Sequence, residues 1–459
     1  MIVQAAREKK RWTGYLICAF GFGLTVAAFY PGMMSPDSIA SLGEGRSGMI
    51  TEQNSAVMSF VWGILDGVIA GPGPMLILQS AMLWGAAALL WESLFRESFA
   101  LGVAAALVPF LPHVLSQVPV IWKDVLMATS LFAAVALVFT GKKKESRLAF
   151  VLSAPFLLVG LAARLNSLPA VLPIAVWSAV VASSILDMRI SRLTTFAAGM
   201  VYLVVLVATA LGFQSFVTGG RSAYPFQYVQ LYDLAAISIS AGESRFPGYV
   251  SSADAFSMDS VRANYTPTTV GPLVYTDQVR AGGSPPLAVT DDAGRISGLG
   301  ETWRAEIVRE PSAYLAHRAA VFGQLIGLGR SVSLQYWDLG LTRNPAEFPI
   351  EKNLANGAIT KYLAAFQRPV PQTLFFRAIV WIVACFFLAY CALRSKISGD
   401  WDIVFVLSAS SLLYIFAYFF TAPAADFRYV YWPGIATTVA AIIGIYLVRR
   451  SKGLRMAEV

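Results

Sequence analysis

The stretch VLMATSLFAAVALVFT, at residues 125–140, decides the fold class of this chain. It contains no charged residue, whereas Lys123 and Asp124 stand directly before it and Lys142 follows it closely. An uncharged apolar run with charges at both ends is typical of a helix that crosses a lipid bilayer. Comparable runs recur along the chain, so the sequence predicts an all-α protein that crosses a membrane several times.

The overall composition excludes the soluble classes of protein. Of the 459 residues, 56% are hydrophobic and 14% are charged, whereas a soluble domain carries about 25% charged residues. The net charge of +8 is attributed to basic residues in cytoplasmic loops, so no nucleic-acid partner is expected. A soluble enzyme, a disordered chain and a fibrous repeat are ruled out.

Ten apolar stretches are predicted to span the membrane. They lie at residues 14–30, 74–91, 99–115, 125–140, 148–162, 168–186, 195–213, 374–393, 403–421 and 433–448. A weaker apolar stretch at 56–70 contains Asp66 and ends at Gly71-Pro72-Gly73. It is interpreted as a helix at the membrane surface.

The distribution of Lys and Arg predicts the sidedness. The loops on one side hold seventeen basic residues, and the short loops on the other side hold four: Arg46, Lys123, Arg164 and Arg428. Because basic residues accumulate in cytoplasmic loops, both termini are expected in the cytoplasm. The four exceptions therefore lie on the outer side, where functional charges are expected.

The predicted spans divide the chain into three parts. Residues 1–213 form an N-terminal transmembrane module with a first outer loop at 31–73, and residues 374–459 form a C-terminal module. Between them, residues 214–373 are polar and rich in Gly, Pro, Ser and Tyr, which predicts a large extracytoplasmic domain of mixed structure. Within it, 311–328 has helical apolar spacing and is expected to form a surface helix.

Charged residues lie at the outer ends of two predicted spans: Asp37 follows the first span, and Lys123 and Asp124 precede the span at 125–140. Asp37 lies on a Pro- and Gly-rich turn after the first span, which suits a general base whose position is fixed, although Asp37 and Ser38 would also suit a helix cap. Lys123 would neutralise a phosphate and Asp124 would orient it or hold a metal ion. In the alternative, Trp122 is an interface anchor and Asp124 a cap.

Two further outer positions carry arginine. Arg164 and Asn166 occupy a tight turn between two spans, and an arginine there either binds phosphate in a bidentate manner or extends to lipid headgroups. Arg428 precedes the last span and either reaches a lipid-linked phosphate or pairs with Asp426 or Asp37 for structure alone.

Seven motifs together resemble a bacterial branch of the GT-C glycosyltransferases, a superfamily that includes protein mannosyltransferases and the aminoarabinose transferase acting on lipid A. The motifs are YPGMMSPDS (30–38), LWGA (83–86), VIWKD (120–124), AARLNSLPAVLPI (162–174), LYDLAAIS (231–238), AYLAHR (313–318) and DFRYVYWP (426–433). The resemblance implies a polytopic α-helical fold with a large outer loop, a polyprenyl-phosphate sugar donor and inversion at the anomeric carbon. An acidic residue of the first outer loop serves as base in this superfamily, and the motif places it at Asp37.

The same resemblance suggests roles for the remaining candidates. The cations Lys123, Arg164 and Arg428 would stabilise the leaving phosphate. Residues that would orient the phosphate or sugar are Asp124, Asn166 and Tyr429, and the outer-domain contributors are Tyr232, Asp233, His317 and Arg318. A divalent metal ion is an alternative to one of the cations. The expected partners are the polyprenyl-phosphate-linked donor, membrane lipids and a glycan, lipid or protein acceptor.

Two other functions stay open. A lipid or saccharide transporter or flippase would carry polar residues near mid-membrane on broken helices. A catalytically inactive envelope scaffold is the third reading, because Glu52-Gln53-Asn54-Ser55 stands where similar chains carry Trp-His-Pro-Pro. The resemblance implies a bacterial inner membrane, and the enzyme reading requires Asp37, Lys123, Arg164 and Arg428 to share one cavity that opens toward lipid.

Overall fold

The computed structural model describes residues 2–280, 283–328, 344–366 and 374–457. Within these ranges the chain forms helices and irregular connections and contains no β-strand; two isolated bridges join Met33 to Val120 and Thr269 to Ala424. The prediction of an all-α protein is therefore confirmed for the described residues.

The described residues contain twenty α-helices. They are α1 Ile2–Phe29, α2 Pro36–Ser47, α3 Ala56–Asp66, α4 Gly73–Leu94, α5 Phe99–Ala106, α6 Pro112–Leu115, α7 Lys123–Lys144, α8 Arg147–Ala163, α9 Leu168–Ile185, α10 Arg192–Thr218, α11 Gln227–Ala241, α12 Gly248–Ser251, α13 Met258–Asn264, α14 Gly271–Val274, α15 Ala293–Arg309, α16 Pro311–Leu325, α17 Leu354–Ala365, α18 Ala378–Arg394, α19 Trp401–Thr421 and α20 Tyr431–Ala457. Short 3-10 helices lie at Val108–Phe110, Leu165–Ser167, Thr276–Gln278, Leu374–Phe376 and Phe427–Val430.

Seven helical segments in the described part are long and apolar enough to cross a membrane. They are Lys10–Phe29, Gly73–Leu94, Lys123–Lys144, Leu165–Ile185, Arg192–Thr218, Trp401–Thr421 and Phe427–Ser451. Each coincides with one of the predicted spans. The chain is thus a polytopic membrane protein, as its composition indicates.

The remaining three predicted spans have a different structure. The spans at 148–162 and 374–393 form α8 and α18, which have 17 residues each and are about 26 Å long, slightly less than the hydrocarbon core. The span at 99–115 is not one helix but α5, a 3-10 turn and α6. Pro109 and Pro112 interrupt it because proline lacks an N–H group and disfavours helical backbone in the preceding residue. The count of ten spans stays a prediction.

Helix α7, built from the apolar run 125–140, is the centre of the bundle. Every residue from Asp124 to Gly141 is buried, and α7 packs against α4, α8, α9 and α20. Helix α8 approaches closely because Gly160 has no side chain: a Cβ there would lie 2.7 Å from Cδ2 of Leu131. Small residues at helix contacts are the usual means of packing in membranes.

The segment 214–373, called the large segment below, consists of helices and irregular connections in its described residues and contains no β-strand there. Helix α11 packs against α13, α15 and α16, α15 packs against α16, and α16 also packs on α19. The expectation of a domain of mixed structure is therefore not confirmed by the described residues, whose regular elements are helices. Helix α16 confirms the helix predicted at 311–328, but it buries a face that includes His317 and Arg318. Helix α3 confirms the helix predicted at 56–70 and ends at Asp66.

The end of the bundle that holds the predicted cytoplasmic loops is closed by ion pairs. Glu92, at the end of α4, accepts hydrogen bonds from Arg11 and Lys144 at 3.0 and 2.9 Å. Lys142, at the end of α7, lies 2.8 Å from Asp402 at the start of α19. The basic residues of this end are thus matched with carboxylates that hold the helix ends together.

Candidate functional site

Eight polar or aromatic residues meet at the opposite end of the bundle, where four helix connections converge. This polar cluster consists of Asp37, Lys123, Asp124, Arg164, Asn166, Asp426, Arg428 and Tyr429. It is built by the first turns of α2 and α7, the turn between α8 and α9, and the connection from α19 to α20. Residues predicted to lie on one face of the membrane are therefore brought together.

The first turn of α2 positions Asp37. Ser35 is the N-cap, and its side chain forms a capping box with Ser38, as expected for serine at this position. The Ser38 hydroxyl donates to the carbonyl of Ile121 at 2.6 Å, and the Trp122 indole N–H donates to Ser35 Oγ at 2.7 Å. Capping is thus done by the two serines, which leaves the Asp37 carboxylate available for other contacts.

Arg428 pairs with that carboxylate. Its Nη1 donates to Asp37 Oδ2, and its Nε lies 3.0 Å from Asp426 Oδ2. The guanidinium also lies 5.0 Å from the ring centre of Trp122. The Asp37 side chain keeps 48% of its surface exposed. The Arg428 charge and hydrogen bond, with the charges of Lys123 and Arg164, hold the pKa of Asp37 below its usual value despite partial burial.

Arg164 forms a second, deeper ion pair. Its Nη1 donates to Asp124 Oδ1, and its Nε donates to Asn166 Oδ1 at 3.0 Å. The Asp124 side chain has no exposed surface, and its Oδ2 has no hydrogen-bond partner among the described residues. An unpaired buried carboxylate oxygen is costly, so the stability of Asp124 in this position depends on its ion pair with Arg164.

Tyr429 links the two arginines. Its ring centre lies 4.7 Å from the Arg164 guanidinium and 5.4 Å from that of Arg428, which are distances for cation–π attraction. The ring is stacked on Tyr418 at 5.1 Å, and the Tyr418 hydroxyl accepts from Asn166 at 3.2 Å. The aromatic pair thereby fixes the spacing of the two cations.

The third cation of the polar cluster, Lys123, is held by the first outer loop, whereas the fourth outer basic residue, Arg46, pairs with Asp66 at 2.9 Å outside the cluster. Its Nζ donates to the carbonyl of Gln53 at 2.8 Å. The neighbouring Glu52 carboxylate accepts from the Ser222 hydroxyl and from the N–H groups of Ala223 and Tyr224 at 3.1 and 3.0 Å. The stretch at 52–55 therefore connects Lys123 to the start of the large segment.

The four outer-domain candidates lie inside the large segment and do not line an open site. Tyr232, Asp233 and Arg318 have no exposed surface, and His317 has 4%. Arg318 donates to Asp233 at 2.6 Å, and the Tyr265 hydroxyl lies 2.9 Å from His317 Nδ1. Burial lowers the pKa of His317 although Asp233 opposes the effect. The expectation of direct contact with substrate does not fit this burial.

The structure adds two tyrosines that the sequence does not single out. Tyr275 and Tyr228 of the large segment are stacked with ring centres 5.7 Å apart, and Tyr275 is 39% exposed. Burial and Tyr228 raise the pKa of Tyr275, and the charges of Asp37 and Tyr429 add to the effect. The large segment therefore presents an aromatic face near Asp37.

The residues of the polar cluster do not fit a divalent metal ion. Among the described residues, no group of three or more His, Cys, Asp or Glu side chains is arranged to hold one. The three carboxylates of the cluster, Asp37, Asp124 and Asp426, each face an arginine. Cations of the chain itself occupy the positions in which a metal ion would neutralise charge.

The expected meeting of Asp37, Lys123, Arg164 and Arg428 is observed, but two cavities of the described part lie elsewhere. One, of about 840 Å³, lies between α1 and α4 and is bordered by Arg11, and the other, of about 180 Å³, lies between α9 and α10. Neither cavity is lined by residues of the polar cluster, so neither is the shared cavity that the sequence predicts there.

Comparison with models of known protein families, with curated proteins and with solved structures finds no match to this chain. The likeness to the GT-C glycosyltransferases consequently stays a prediction that rests on the sequence motifs, and the chemistry of the polar cluster must support it independently.

Proposed function

We propose that this chain is a membrane glycosyltransferase of the GT-C type, which moves a sugar from a polyprenyl-phosphate donor to an acceptor hydroxyl with inversion. The observation that carries the proposal is the meeting of a half-exposed carboxylate, Asp37, with Arg428 and Arg164 at one end of an apolar bundle. An anionic lipid substrate cannot leave the bilayer, so its charged head must react at such an end.

The two arginines are suited to the donor phosphate. Guanidinium groups stay charged and bind phosphate oxygens in a bidentate manner. Arg164 and Arg428 lie on the same tyrosine ring at 4.7 and 5.4 Å, so a phosphate beside Tyr429 would reach both. Negative charge grows on the phosphate as it leaves, and fixed cations stabilise that charge more in the transition state than in the ground state.

Asp37 is suited to the role of base. The acceptor hydroxyl transfers its proton to the carboxylate as its oxygen bonds to the anomeric carbon, and the bond from that carbon to the phosphate oxygen breaks. The electron pair leaves with the polyprenyl phosphate. Because Arg428 pairs with Asp37, a phosphate that bound Arg428 would compete with the carboxylate and free it to accept a proton.

The distribution of basic residues supports the location. We place the polar cluster and the large segment on the extracytoplasmic face of a bacterial inner membrane, with both termini in the cytoplasm. The acceptor is then a glycan, a lipid or a protein hydroxyl on that face. No step of the reaction is assigned to a metal ion, because the carboxylates already face arginines.

A lipid transporter or flippase is the second candidate. One observation favours it: the interrupted stretch from α5 to α6 lies beside buried polar side chains such as Gln79 and Gln117. Broken helices with polar neighbours occur in transporters. Movement of a labelled polyprenyl phosphate across proteoliposomes, without any transfer of sugar, would favour this candidate over the enzyme.

The test of the proposed enzyme is a transfer assay on purified protein. Polyprenyl-phosphate-linked pentoses and hexoses are offered with glycan, lipid and peptide acceptors, and release of polyprenyl phosphate is measured. We expect Asp37→Asn to lower the rate by about 100-fold or more, whereas Asp259→Asn, at an exposed carboxylate of the large segment, leaves it unchanged. Full activity of Asp37→Asn would refute the assignment of the base.

A further inference from the structure

A buried ion pair lies at the centre of the large segment. Arg318 Nη2 donates to Asp233 Oδ2 at 2.6 Å, and neither side chain has any exposed surface. Trp303 Nε1 donates to the same Asp233 oxygen at 2.8 Å. Removing two charges from water costs free energy, and a buried ion pair often adds no net stability. The pair therefore calls for a role other than stability, such as holding a neighbouring group in place.

Arg318 reaches out of the segment to the bundle. Its Nη1 donates to the carbonyl of Ala422 at 2.9 Å, where α19 ends. Two backbone hydrogen bonds continue the contact: Val270 N–H donates to the carbonyl of Pro423 at 2.9 Å, and Ala425 N–H donates to that of Thr268 at 2.7 Å. The stretch 422–425 is thus attached to the large segment over its whole length.

The attached stretch leads directly to the polar cluster. Asp426 follows Ala425, and its carboxylate accepts from the Arg428 N–H at 3.2 Å and starts the 3-10 turn 427–430. Little free chain therefore separates the Ala422 carbonyl from the guanidinium that pairs with Asp37. A shift of Ala422 would be passed on to Arg428.

We propose that Asp233, Trp303 and Arg318 are positioning residues, which hold the Ala422 carbonyl and so set the place of Arg428 against Asp37 and the donor phosphate. The phosphate part of this inference rests on the proposed function. The three residues do not touch substrate; they act through the backbone that carries Arg428. This accounts for the two polar motifs of the large segment without requiring them to line the site.

The test uses the full-length protein in detergent. Arg318→Lys keeps the charge, but a single ammonium group replaces the fork that joins Asp233 to Ala422. Trp303→Phe removes the indole N–H together with the five-membered ring but keeps an aromatic side chain, and it covers the case in which Arg318→Lys fails to fold. Arg262→Lys, in an exposed pair with Asp259, is the matched control.

The first readout is hydrogen exchange of the backbone amides at 425–430. We expect exchange about tenfold faster in Arg318→Lys and a smaller change in Trp303→Phe, with the amides of α7 unchanged. The control variant should match the wild type. Unaltered exchange at 425–430 in both test variants would overturn the inference, whether or not the protein is a transferase.

The second readout is the affinity for decaprenyl phosphate. We expect Arg318→Lys to weaken binding about tenfold and to weaken it no further when Arg428→Gln is already present. Additive losses in the double variant would mean that Arg318 does not act through Arg428, which overturns the inference. If the wild type binds no decaprenyl phosphate, the proposed function fails, and hydrogen exchange still decides the inference.

Discussion

Replacing Arg164 by methionine removes the charge that faces the most buried carboxylate of the cluster. Asp124 has no exposed surface, and the Arg164 side chain keeps 13% of its surface exposed. Arg164 bonds Asp124 Oδ1, and Oδ2 has no hydrogen-bond partner among the described residues. Breaking a buried ion pair from one side costs about 3–5 kcal/mol. Loss of the contact with the Tyr429 ring adds about 1 kcal/mol, so we expect Arg164→Met to lose about 4–6 kcal/mol of unfolding free energy.

The double variant Arg164→Met, Asp124→Leu tests whether the loss of stability comes from leaving the Asp124 carboxylate without its partner. Apolar residues of similar volume often replace a buried ion pair without loss, so the double variant should be more stable than Arg164→Met alone. The assay is SDS-induced unfolding of the purified protein. A double variant that loses the sum of the two single losses would refute the reasoning, because the two residues would then not be coupled.

Three other predictions follow from the same geometry. Arg428→Gln removes the largest cause that lowers the pKa of Asp37 in the free protein. Because a base must be ionised, the acidic limb of the profile of kcat/KM against pH, which reports the free enzyme, should move to higher pH, and an unmoved limb would contradict the base role. Gly63→Ala places a Cβ 2.6 Å from the carbonyl oxygen of Gly45. It should push α2 away from α3 and lower the free energy of unfolding by about 1–3 kcal/mol, which thermal unfolding would detect. An unchanged midpoint would disprove the close packing. Tyr275→Ala removes a partly exposed ring that interacts electrostatically with Asp37. It should raise the acceptor KM several-fold without altering the donor KM, and a change in the donor KM alone would contradict the prediction.

Much of the fold follows from local composition. The uncharged run at 125–140 becomes the buried α7 because an apolar segment without charges is stable wherever it avoids water. The stretch at 99–115 is equally apolar, yet it is interrupted, because Pro109 and Pro112 change backbone hydrogen bonding rather than hydrophobicity. Counting apolar residues finds the segments but not the breaks within them.

The sequence predicts on which face of the membrane the candidate site lies, but it does not predict which residues of the site pair with one another. A basic residue on the outer face stands out against the charge bias, and Arg164 and Arg428 are found that way. Asp37 and Arg428 lie 391 positions apart, so only the fold brings them together. Arg318 looks like an accessible cation in the sequence, but the inward face of α16 buries it.

The most direct test of the central claim is an experimental structure of the protein with a bound polyprenyl phosphate. The account predicts that the phosphate lies beside Tyr429 in contact with Arg164 and Arg428, with Asp37 released from its ion pair. The account would be contradicted if the lipid phosphate bound only at the other end of the bundle, beside Arg11 in the groove between α1 and α4, while Asp37 stayed paired with Arg428.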